Sequence, residues 1–398
     1  MDRDPGPASP QALELAEQLG LSFTAADVLC RRGFGADTRT ERFLDPKLGQ
    51  LTKPDTLAGW TPGVDRLARA VRDRERVVVF GDYDCDGITS VAILTEVIRA
   101  LGGTAVPLLA NRFDGGYGLS DRAVDRALLE SPAVLVACDC GSSDQPRVAR
   151  AIERDVDVVI VDHHEVPTDP PAATAFINPQ QPSCAFPYKG LATCGLTLLL
   201  ATGLRRELRP ELDVRRWLDL VAIGTVADVA PLDGDNRVLV RAGLAVLEGA
   251  SRPGLRALLG RVQRGRSRSA TTELIAFQIA PRLNAPGRLG DPSAALELLL
   301  AQDADRAIPR LEQVEQAVAE RRAIQSRMVA EATAAIVKAG YPSDGGLVLA
   351  GPDWHPGVVG IVAGRIAAQY GAPSIAIALE GDAGRGSARA PEGFDLYE

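Results

Sequence analysis

Residues 76–87 read RVVVFGDYDCDG, an apolar run that passes directly into three closely spaced aspartates. The run Val77–Phe80 is short and continuous, which is typical of a strand buried on both faces of a parallel sheet. Asp82, Asp84 and Asp86 follow where the chain leaves this strand. In an open parallel sheet, ligands bind beyond the carboxyl ends of the strands. The segment therefore predicts an α/β fold with a polar site at one edge of the sheet.

Apolar runs alternate with helical patterns on either side of this segment. The predicted strands are Arg76–Phe80, Thr104–Leu109, Ala133–Ala137 and Asp157–Val161. The predicted helices between and before them are Gly63–Arg74, Ser90–Leu101, Ser120–Glu130 and Asp144–Arg154. This alternation predicts a parallel sheet covered by helices on both faces.

The remaining chain predicts further domains. The four predicted domains are an N-terminal helical and loop segment (1–60), the main α/β domain (61–240), a helical connector (241–338) and a smaller, partial α/β domain (339–398). Other predicted helices are Leu13–Leu19, Thr24–Arg31, Leu191–Leu208, Val214–Val229, the long connecting helix Ala304–Lys338, and Pro356–Tyr370. The last domain has predicted strands at Gly346–Ala350, Ser374–Leu379 and near Gly386–Ala390. The Arg-rich stretch Arg252–Arg268 is predicted to lie between helices, as a solvated loop or in contact with a nucleic-acid backbone.

Bulk composition excludes several classes of protein. No apolar run approaches the roughly 20 residues of a membrane span, and the N-terminus lacks a signal-peptide pattern, so we expect a soluble cytoplasmic protein. The six cysteines form no CxxC pair, so a zinc ribbon or dense disulfide framework is not indicated. Cys138 and Cys140 are predicted to be buried on the face opposite Asp139. The net charge of −8 argues against a nucleic-acid partner unless acidic residues gather in a metal site.

The other predicted strands also end in polar side chains. Asn111 and Arg112 follow the second strand, Asp139 follows the third, and Asp162, His163 and His164 follow the fourth. Carboxylates gathered in one crevice stay ionised only if a cation compensates their charge. Several carboxylates with one or two imidazoles suit Mn²⁺ or Mg²⁺, and a pair of such ions is suited to phosphodiester hydrolysis. The sequence therefore predicts a site for two divalent ions.

Simpler interpretations exist for each motif. An EF-hand calcium loop requires a Glu six residues after its Gly, and Ile93 occupies that position after Gly87, so this interpretation fails. An acidic turn remains open for the aspartate cluster. For residues 162–164, the alternative is a helix-capping Asp162 followed by exposed imidazoles.

A series of motifs resembles the DHH phosphoesterase family, and within it the RecJ-type single-strand-specific exonucleases. The motifs are GDYDCDG (81–87), NRFDGGYGL (111–119), CDCGSS (138–143), VDHHE (161–165), INP (177–179), GTVADVAPL (224–232), APRLNAPGRLGDP (280–292) and WHPGVVGIVAGRI (354–366). They occur in order and cover almost the whole chain. The resemblance implies that residues 61–240 are a DHH catalytic domain.

The resemblance also implies roles for individual residues. A site for two Mn²⁺ ions, with Mg²⁺ as the alternative, would take its ligands from Asp82, Asp84, Asp86, Asp139, His163 and Asp228, with Asp139 as the bridge. Asp84, Asp139, His163 and His164 would be the catalytic residues, with His164 contacting phosphate or supporting a ligand. Arg112, Arg282, Arg288 and Ser387 would hold the 5′-phosphate and the strand backbone. Intraprotein salt bridges are the alternative for Arg282 and Arg288.

The implied function is 5′→3′ exonuclease action on single-stranded DNA, releasing 5′-mononucleotides in repair and recombination. The implied partners are single-stranded DNA, a helicase and a single-strand-binding protein, with no membrane, and we expect a monomer. The alternatives are a small-substrate phosphodiesterase, acting on oligoribonucleotides or cyclic dinucleotides, and an inactive replisome scaffold. The chain lacks the family's Gly-Gly-His motif and its OB-fold, so we expect a C-terminal truncation that weakens DNA binding.

Overall fold

The structure, a computed structural model, describes residues 10–116, 118–263, 269–340 and 345–396. The first elements are α1 (Pro10–Leu19), α2 (Phe23–Arg31), α3 (Thr38–Leu44), α4 (Trp60–Arg72), β1 (Arg76–Gly81), α5 (Cys85–Ala100), β2 (Thr104–Leu109), α6 (Asp121–Leu129), β3 (Val134–Cys138), α7 (Gln145–Ile152), β4 (Asp157–Val161) and β5 (Ala175–Ile177). The five strands form one parallel sheet in the order β2-β1-β3-β4-β5. This confirms the predicted α/β class.

The sheet is covered on both faces, as its continuous apolar strands predict. In β1, Val77 and Val79 belong to one apolar cluster, shared with α4 and α5. Val78 and Phe80 belong to a second cluster, shared with α6 and α7. Because successive strand side chains point to opposite faces, a sheet with two covered faces needs an apolar residue at every position.

The start of α5 and the existence of β5 differ from the sequence-based prediction. The helix begins at Cys85 rather than Ser90, because Asp84 accepts hydrogen bonds from the Asp86 and Gly87 backbone N–H groups and so caps it. This places Asp86 in the first helical turn rather than on a loop. The strand β5 was not predicted, because three residues are too few to show a strand pattern.

Helices follow the sheet. They are α8 (Thr193–Leu208), α9 (Leu218–Ala227), α10 (Gly234–Gly249), α11 (Pro253–Val262), α12 (Thr272–Leu274) continuing through the π-helical turn Ile275–Ile279, α13 (Ala280–Leu289), α14 (Ser293–Leu300) and α15 (Ala304–Ala339). The boundary predicted between residues 240 and 241 falls inside α10. One of the two apolar clusters on the sheet draws its members from both sides of this boundary, between Leu57 and Val314, so the two segments share a core.

The structure contradicts the predicted loop over the described part of Arg252–Arg268, and it contradicts the predicted exposure at Arg252. Residues 253–262 form α11, and residues 264–268 lie outside the described residues. Arg252 is neither solvated nor available to a nucleic acid. It is buried, and its guanidinium contacts Glu96 and Asp219. The tertiary packing of α5, α9 and α14 around the start of α11 creates this buried position.

The C-terminal elements form a smaller α/β unit. They are β6 (Leu347–Gly351), α16 (Val359–Tyr370), β7 (Ser374–Glu380) and β8 (Ala383–Arg389). The strand β7 pairs in parallel with β6 and antiparallel with β8. Met328, Ala332 and Ile336 of the long helix α15 pack into this unit's apolar core. Among the described helices, none is long and apolar enough to cross a membrane.

Candidate metal centre

Three aspartates leave the sheet side by side. Asp82, Asp139 and Asp162 follow β1, β3 and β4, which are neighbouring strands, and all three are buried. Asp139 has a left-handed backbone with φ of 60°, a conformation that Asp tolerates better than most residues. This turn breaks the predicted alternation, so Cys138 and Cys140 are both buried but lie in different apolar clusters.

Asp86 is held by the N-terminus of α8. Its carboxylate accepts hydrogen bonds from the backbone N–H groups of Thr193, at 2.7 Å, and Cys194, at 2.9 Å. The Thr193 hydroxyl also donates to Asp139 Oδ1, at 3.0 Å. The start of a helix favours negative charge, but burial outweighs this effect and raises the pKa of Asp86 in the metal-free chain. Thr193 was missed by sequence reasoning because it lies outside the motifs and far along the chain from both partners.

His163 lies between the carboxylates. Its Nε2 is 3.5 Å from Asp139 Oδ1 and 3.7 Å from Asp228 Oδ2. Ligand atoms lie within 4.8 Å of one another in two groups, Asp86 with His163 and Asp228, and Asp139 with His163 and His164. The structure thus brings together Asp86, Asp139, His163 and Asp228. His163 is the residue that the two groups share, whereas Asp139, the predicted bridge, belongs to one of them.

Asp162 supports the two histidines rather than capping a helix. It accepts hydrogen bonds from the backbone N–H groups of Ser142 and His163, and its Oδ1 is 2.7 Å from His164 Nδ1. Burial alone would raise the pKa of Asp162, but these hydrogen bonds outweigh it and lower the pKa to about 2. The same hydrogen bond raises the pKa of His164 to about 9. Asn178, just after β5, donates hydrogen bonds from its side-chain amide to the His164 carbonyl oxygen and to the Ser142 hydroxyl.

The centre carries more negative charge than its protein groups can balance. Burial, followed by the charge of Asp84, raises the pKa of Asp82 to about 7. Burial, followed by the charge of Asp86, raises the pKa of Asp228 to about 6. Within the described part of the chain, the buried atoms Asp82 Oδ1 and His163 Nε2 make no hydrogen bond. Unpartnered acceptors among crowded carboxylates fit divalent cations with oxygen and imidazole ligands, such as Mn²⁺ or Mg²⁺.

We expect the metal-free protein to lose stability as pH rises. Raised pKa values mean that Asp82 and Asp228 hold protons more tightly in the folded chain than in the unfolded chain, between about pH 4 and 7. Unfolding therefore releases protons in this range. The free energy of unfolding, measured with urea and a chelator, should fall by roughly 2–4 kcal/mol between pH 5 and 8. Saturating Mn²⁺ should reverse the trend, and a flat profile in chelator would contradict it.

The four predicted phosphate-binding residues lie in different environments. Arg112 stacks on the Tyr83 ring and donates to the Tyr83 hydroxyl at 2.7 Å, which places it beside the aspartate loop. Arg282 is buried and donates to Glu315 Oε1 at 2.8 Å, which is the intraprotein salt bridge considered as its alternative. Ser387 lies on β8, where its hydroxyl accepts a hydrogen bond from Arg389.

Arg288 lies where α13 meets the C-terminal unit. Its Nη1 is 3.5 Å from the Gly357 carbonyl oxygen. Its own carbonyl oxygen would be 1.8 Å from a Cβ on Gly357, so the two backbones touch only because position 357 is glycine. On the same helix, Gly287 packs against Tyr83 of the aspartate loop. The helix α13 therefore connects the metal centre with the loop that precedes α16.

Comparison with known proteins places the chain in a family. Residues 76–225 match the N-terminal domain of the DHH family. The single-stranded-DNA-specific exonuclease RecJ of Escherichia coli is 38% identical over 97% of this chain and 69% of its own length. The proteins of the same name from Dickeya dadantii and Bacillus subtilis are 40% and 33% identical, over 89% and 98% of this chain. The chain spans 64% and 49% of the lengths of these two relatives.

Solved structures agree with the sequence comparisons. RecJ of Thermus thermophilus in complex with Mn²⁺ has a TM-score of 0.82 at 32% identity, covering 97% of this chain and 54% of that chain. An exonuclease RecJ bound to manganese has a TM-score of 0.74 at 33% identity, covering 86% of this chain and 84% of that chain. The motifs, the fold and these similarities lead to one conclusion: the chain belongs to the RecJ family of DHH-domain proteins.

Proposed function

We propose that this chain hydrolyses single-stranded DNA from its 5′ end, releasing 5′-mononucleotides, with two divalent ions bound at the sheet edge. The observation that carries the proposal is that His163 joins two groups of possible ligands, one with Asp86 and Asp228 and one with Asp139 and His164, in each of which the ligand atoms lie within 4.8 Å of one another. These residues come from four separate segments of the chain. Two further findings support the proposal. The similar proteins are named single-stranded-DNA-specific exonucleases, and two of the similar structures contain Mn²⁺.

Two Mn²⁺ ions, with Mg²⁺ as the alternative, would be held by Asp82, Asp84, Asp86, Asp139, His163 and Asp228. Bound divalent ions make water a stronger nucleophile and neutralise the charge that develops on a phosphodiester. Thr193 orients two of the carboxylates, because its N–H and hydroxyl groups donate to Asp86 and Asp139. Their positions are therefore set before any ion arrives.

His164 and Arg112 are placed to bind the substrate phosphate. In the metal-free chain the hydrogen bond to Asp162 raises the pKa of His164 to about 9, and with Nδ1 directed to Asp162 the Nε2 atom would be left to donate to a phosphate oxygen. The stacking on Tyr83 holds the Arg112 guanidinium beside the aspartate loop. Arg288 and Ser387 would complete a 5′-phosphate pocket, whereas the salt bridge to Glu315 favours a structural role for Arg282.

A timed digest tests the proposal. A single-stranded 30-mer with a 5′-phosphate, labelled at the 5′ or the 3′ end, is incubated with Mn²⁺, Mg²⁺ or chelator. We expect the 5′ label to appear at once in mononucleotides, the 3′ label to persist in shortening strands, and chelator to stop both. Release of the 3′ label first would contradict the polarity.

The same digest distinguishes an exonuclease from a phosphodiesterase that acts on small substrates. Adding a dinucleotide at equal concentration compares the two substrate classes directly. Faster turnover of the dinucleotide than of the 30-mer would favour a small-substrate phosphodiesterase. Absence of metal-dependent hydrolysis of either substrate would favour an inactive scaffold.

The setting of the reaction is also part of the proposal. We place the protein in the cytoplasm as a monomer, acting in repair and recombination on strands that a helicase unwinds and a single-strand-binding protein coats. Sedimentation would test the monomer, and pull-down with each protein would test the two partners.

A further inference from the structure

A cavity of about 420 Å³ lies away from the metal centre, between α3 and the start of α10. Its walls come from the N-terminal helical segment, the loop that carries Tyr188, and the first turn of α10. Its volume falls within the range of about 300–1,000 Å³ that is usual for small-ligand sites. Its lining residues lie outside the motifs that indicate the metal centre, although Asp233 and Gly234 directly follow the motif at 224–232.

Three guanidinium groups line this cavity. Arg39 and Arg42 belong to α3 and are exposed, and Arg237 belongs to α10. Among the described residues, none of the three forms an ion pair, although hydrogen bonds, helped by the charge of Arg39, lower the pKa of Asp37, which caps α3. Burial, together with the neighbouring charge of Arg241, lowers the pKa of Arg237. The cavity therefore has excess positive charge that an anion would relieve.

The acidic residues of the cavity offset only part of this charge, because two carboxylates, Asp233 and Asp235, face three guanidinium groups. Asp233 accepts a hydrogen bond from the Tyr188 hydroxyl at 2.8 Å. Asp235 is buried and accepts hydrogen bonds from the Thr52 backbone N–H at 3.2 and 3.3 Å. Both carboxylates are thus held by neutral donors, which do not cancel their charge, and the exposed guanidinium groups of Arg39 and Arg42 supply the positive charge that remains.

Aromatic rings stand next to the guanidinium groups. The Phe34 and Phe43 rings contact each other, with centroids 4.5 Å apart. The Arg39 guanidinium lies 4.9 Å from the Phe34 centroid, and that of Arg237 lies 3.6 Å from the Phe43 centroid. Arg237 Nε donates to the Phe43 carbonyl oxygen, whereas stacking on Phe34 leaves the N–H groups of Arg39 to match the oxygens of a phosphate. Guanidinium groups beside aromatic surface are the combination that binds nucleotides, through phosphate and base together.

We propose that this cavity is a second nucleotide site, which binds one phosphate-bearing nucleotide outside the metal centre. The inference rests on the proposed function for its choice of nucleotide, because that activity both consumes and releases nucleotides. Either a nucleotide within a strand or a free 5′-mononucleotide has the required chemistry. Arg39 and Arg42 would bind the phosphate, and the surface around Tyr188 would receive the base.

Equilibrium binding of 2′-deoxyadenosine 5′-monophosphate tests the site. Calorimetry is performed in chelator with the Asp139→Asn chain, so that neither hydrolysis nor metal-dependent binding contributes. Adding the double substitution Arg39→Gln and Arg42→Gln should raise the Kd at least about tenfold. The control is Arg215→Gln, an exposed arginine elsewhere, which should leave the Kd unchanged. Both added changes are at exposed positions, and thermal unfolding checks that the fold is retained.

Two further ligands separate the possible occupants. A 5′-phosphorylated nonamer that loses affinity with the double substitution indicates a nucleotide within a strand. Loss of affinity for the mononucleotide alone indicates a free product. An octapeptide of Asp and Glu that binds while the mononucleotide does not would overturn the proposal, as would an unchanged mononucleotide Kd in the double variant.

The proposed function can fail independently of this site. The timed digest on the unsubstituted chain reports the exonuclease activity, and the calorimetry reports the cavity. Nucleotide binding without digestion would refute the exonuclease and leave the second site standing. Digestion without arginine-dependent binding would refute the second site alone.

Discussion

Replacing Asp139 with Asn is expected to lower Mn²⁺-dependent hydrolysis of single-stranded DNA by roughly 10³-fold or more, about 4 kcal/mol of transition-state stabilisation. Asp139 is buried among the charges of Asp84, Asp86 and Asp162, and burial together with these charges raises its pKa well above the ordinary range. An amide at this position keeps the hydrogen bond from the Thr193 hydroxyl but removes the negative charge. Initial rates on a labelled strand measure the effect.

The fold of this variant should be retained or strengthened. In the metal-free chain, the Asp139→Asn change removes one of several repelling buried carboxylates, so its free energy of unfolding should equal or exceed that of the parent. Glu165→Gln is the matched control, because Glu165 is exposed and belongs to neither group of possible ligands. Full Mn²⁺-dependent activity in the Asp139 variant would refute the proposed centre.

Replacing Arg252 with Ala is expected to lower the free energy of unfolding by roughly 3–5 kcal/mol. The Arg252 guanidinium donates to Glu96 Oε1 at 2.7 Å and to the Leu299 carbonyl at 3.0 Å, and lies 3.4 Å from Asp219 Oδ2. Burial raises the pKa of Asp219, and the charge of Arg252 opposes that effect. Without the guanidinium, two carboxylates would be left buried without a cation. Urea unfolding at pH 7 measures the loss.

Two controls distinguish a buried network from a general loss of charge. Arg215→Ala removes an exposed arginine paired with Asp213 and should change stability by less than about 1 kcal/mol. The triple variant Arg252→Met, Glu96→Gln and Asp219→Asn should recover most of the loss, because no charge then remains unpaired. A stability loss in the triple variant equal to that of Arg252→Ala would show that packing, not charge pairing, dominates.

The sheet and its functional edge were predictable because both depend on local signals. Continuous apolar runs define β1 to β4, and the residue after each run lies at the carboxyl end by connectivity alone. Asp82, Asp139 and His163 could therefore be placed near one another without coordinates. The long helix Ala304–Ala339 was equally evident, since it contains no glycine and its only proline, Pro309, lies near its start.

Positions that depend on distant helices were not predictable in this way. Asp228 ends α9, and no spacing rule relates it to the sheet, so only the family motif indicated it. Thr193 supports two ligands from the start of α8, more than fifty residues from Asp139 along the chain. The packing of these helices against α5 brings such groups together.

The Arg-rich stretch Arg252–Arg268 shows most clearly why a local sequence pattern cannot predict whether a charge is buried. A run of arginines reads as solvated from its local pattern, because an unpaired guanidinium is rarely buried. Glu96 and Asp219, from α5 and α9, supply the opposing charges that make burial of Arg252 tolerable. Periodicity along the chain reports which residues share a strand or a helix face. Whether a charge is buried, paired or left open to a ligand depends on partners that only long-range packing brings to it.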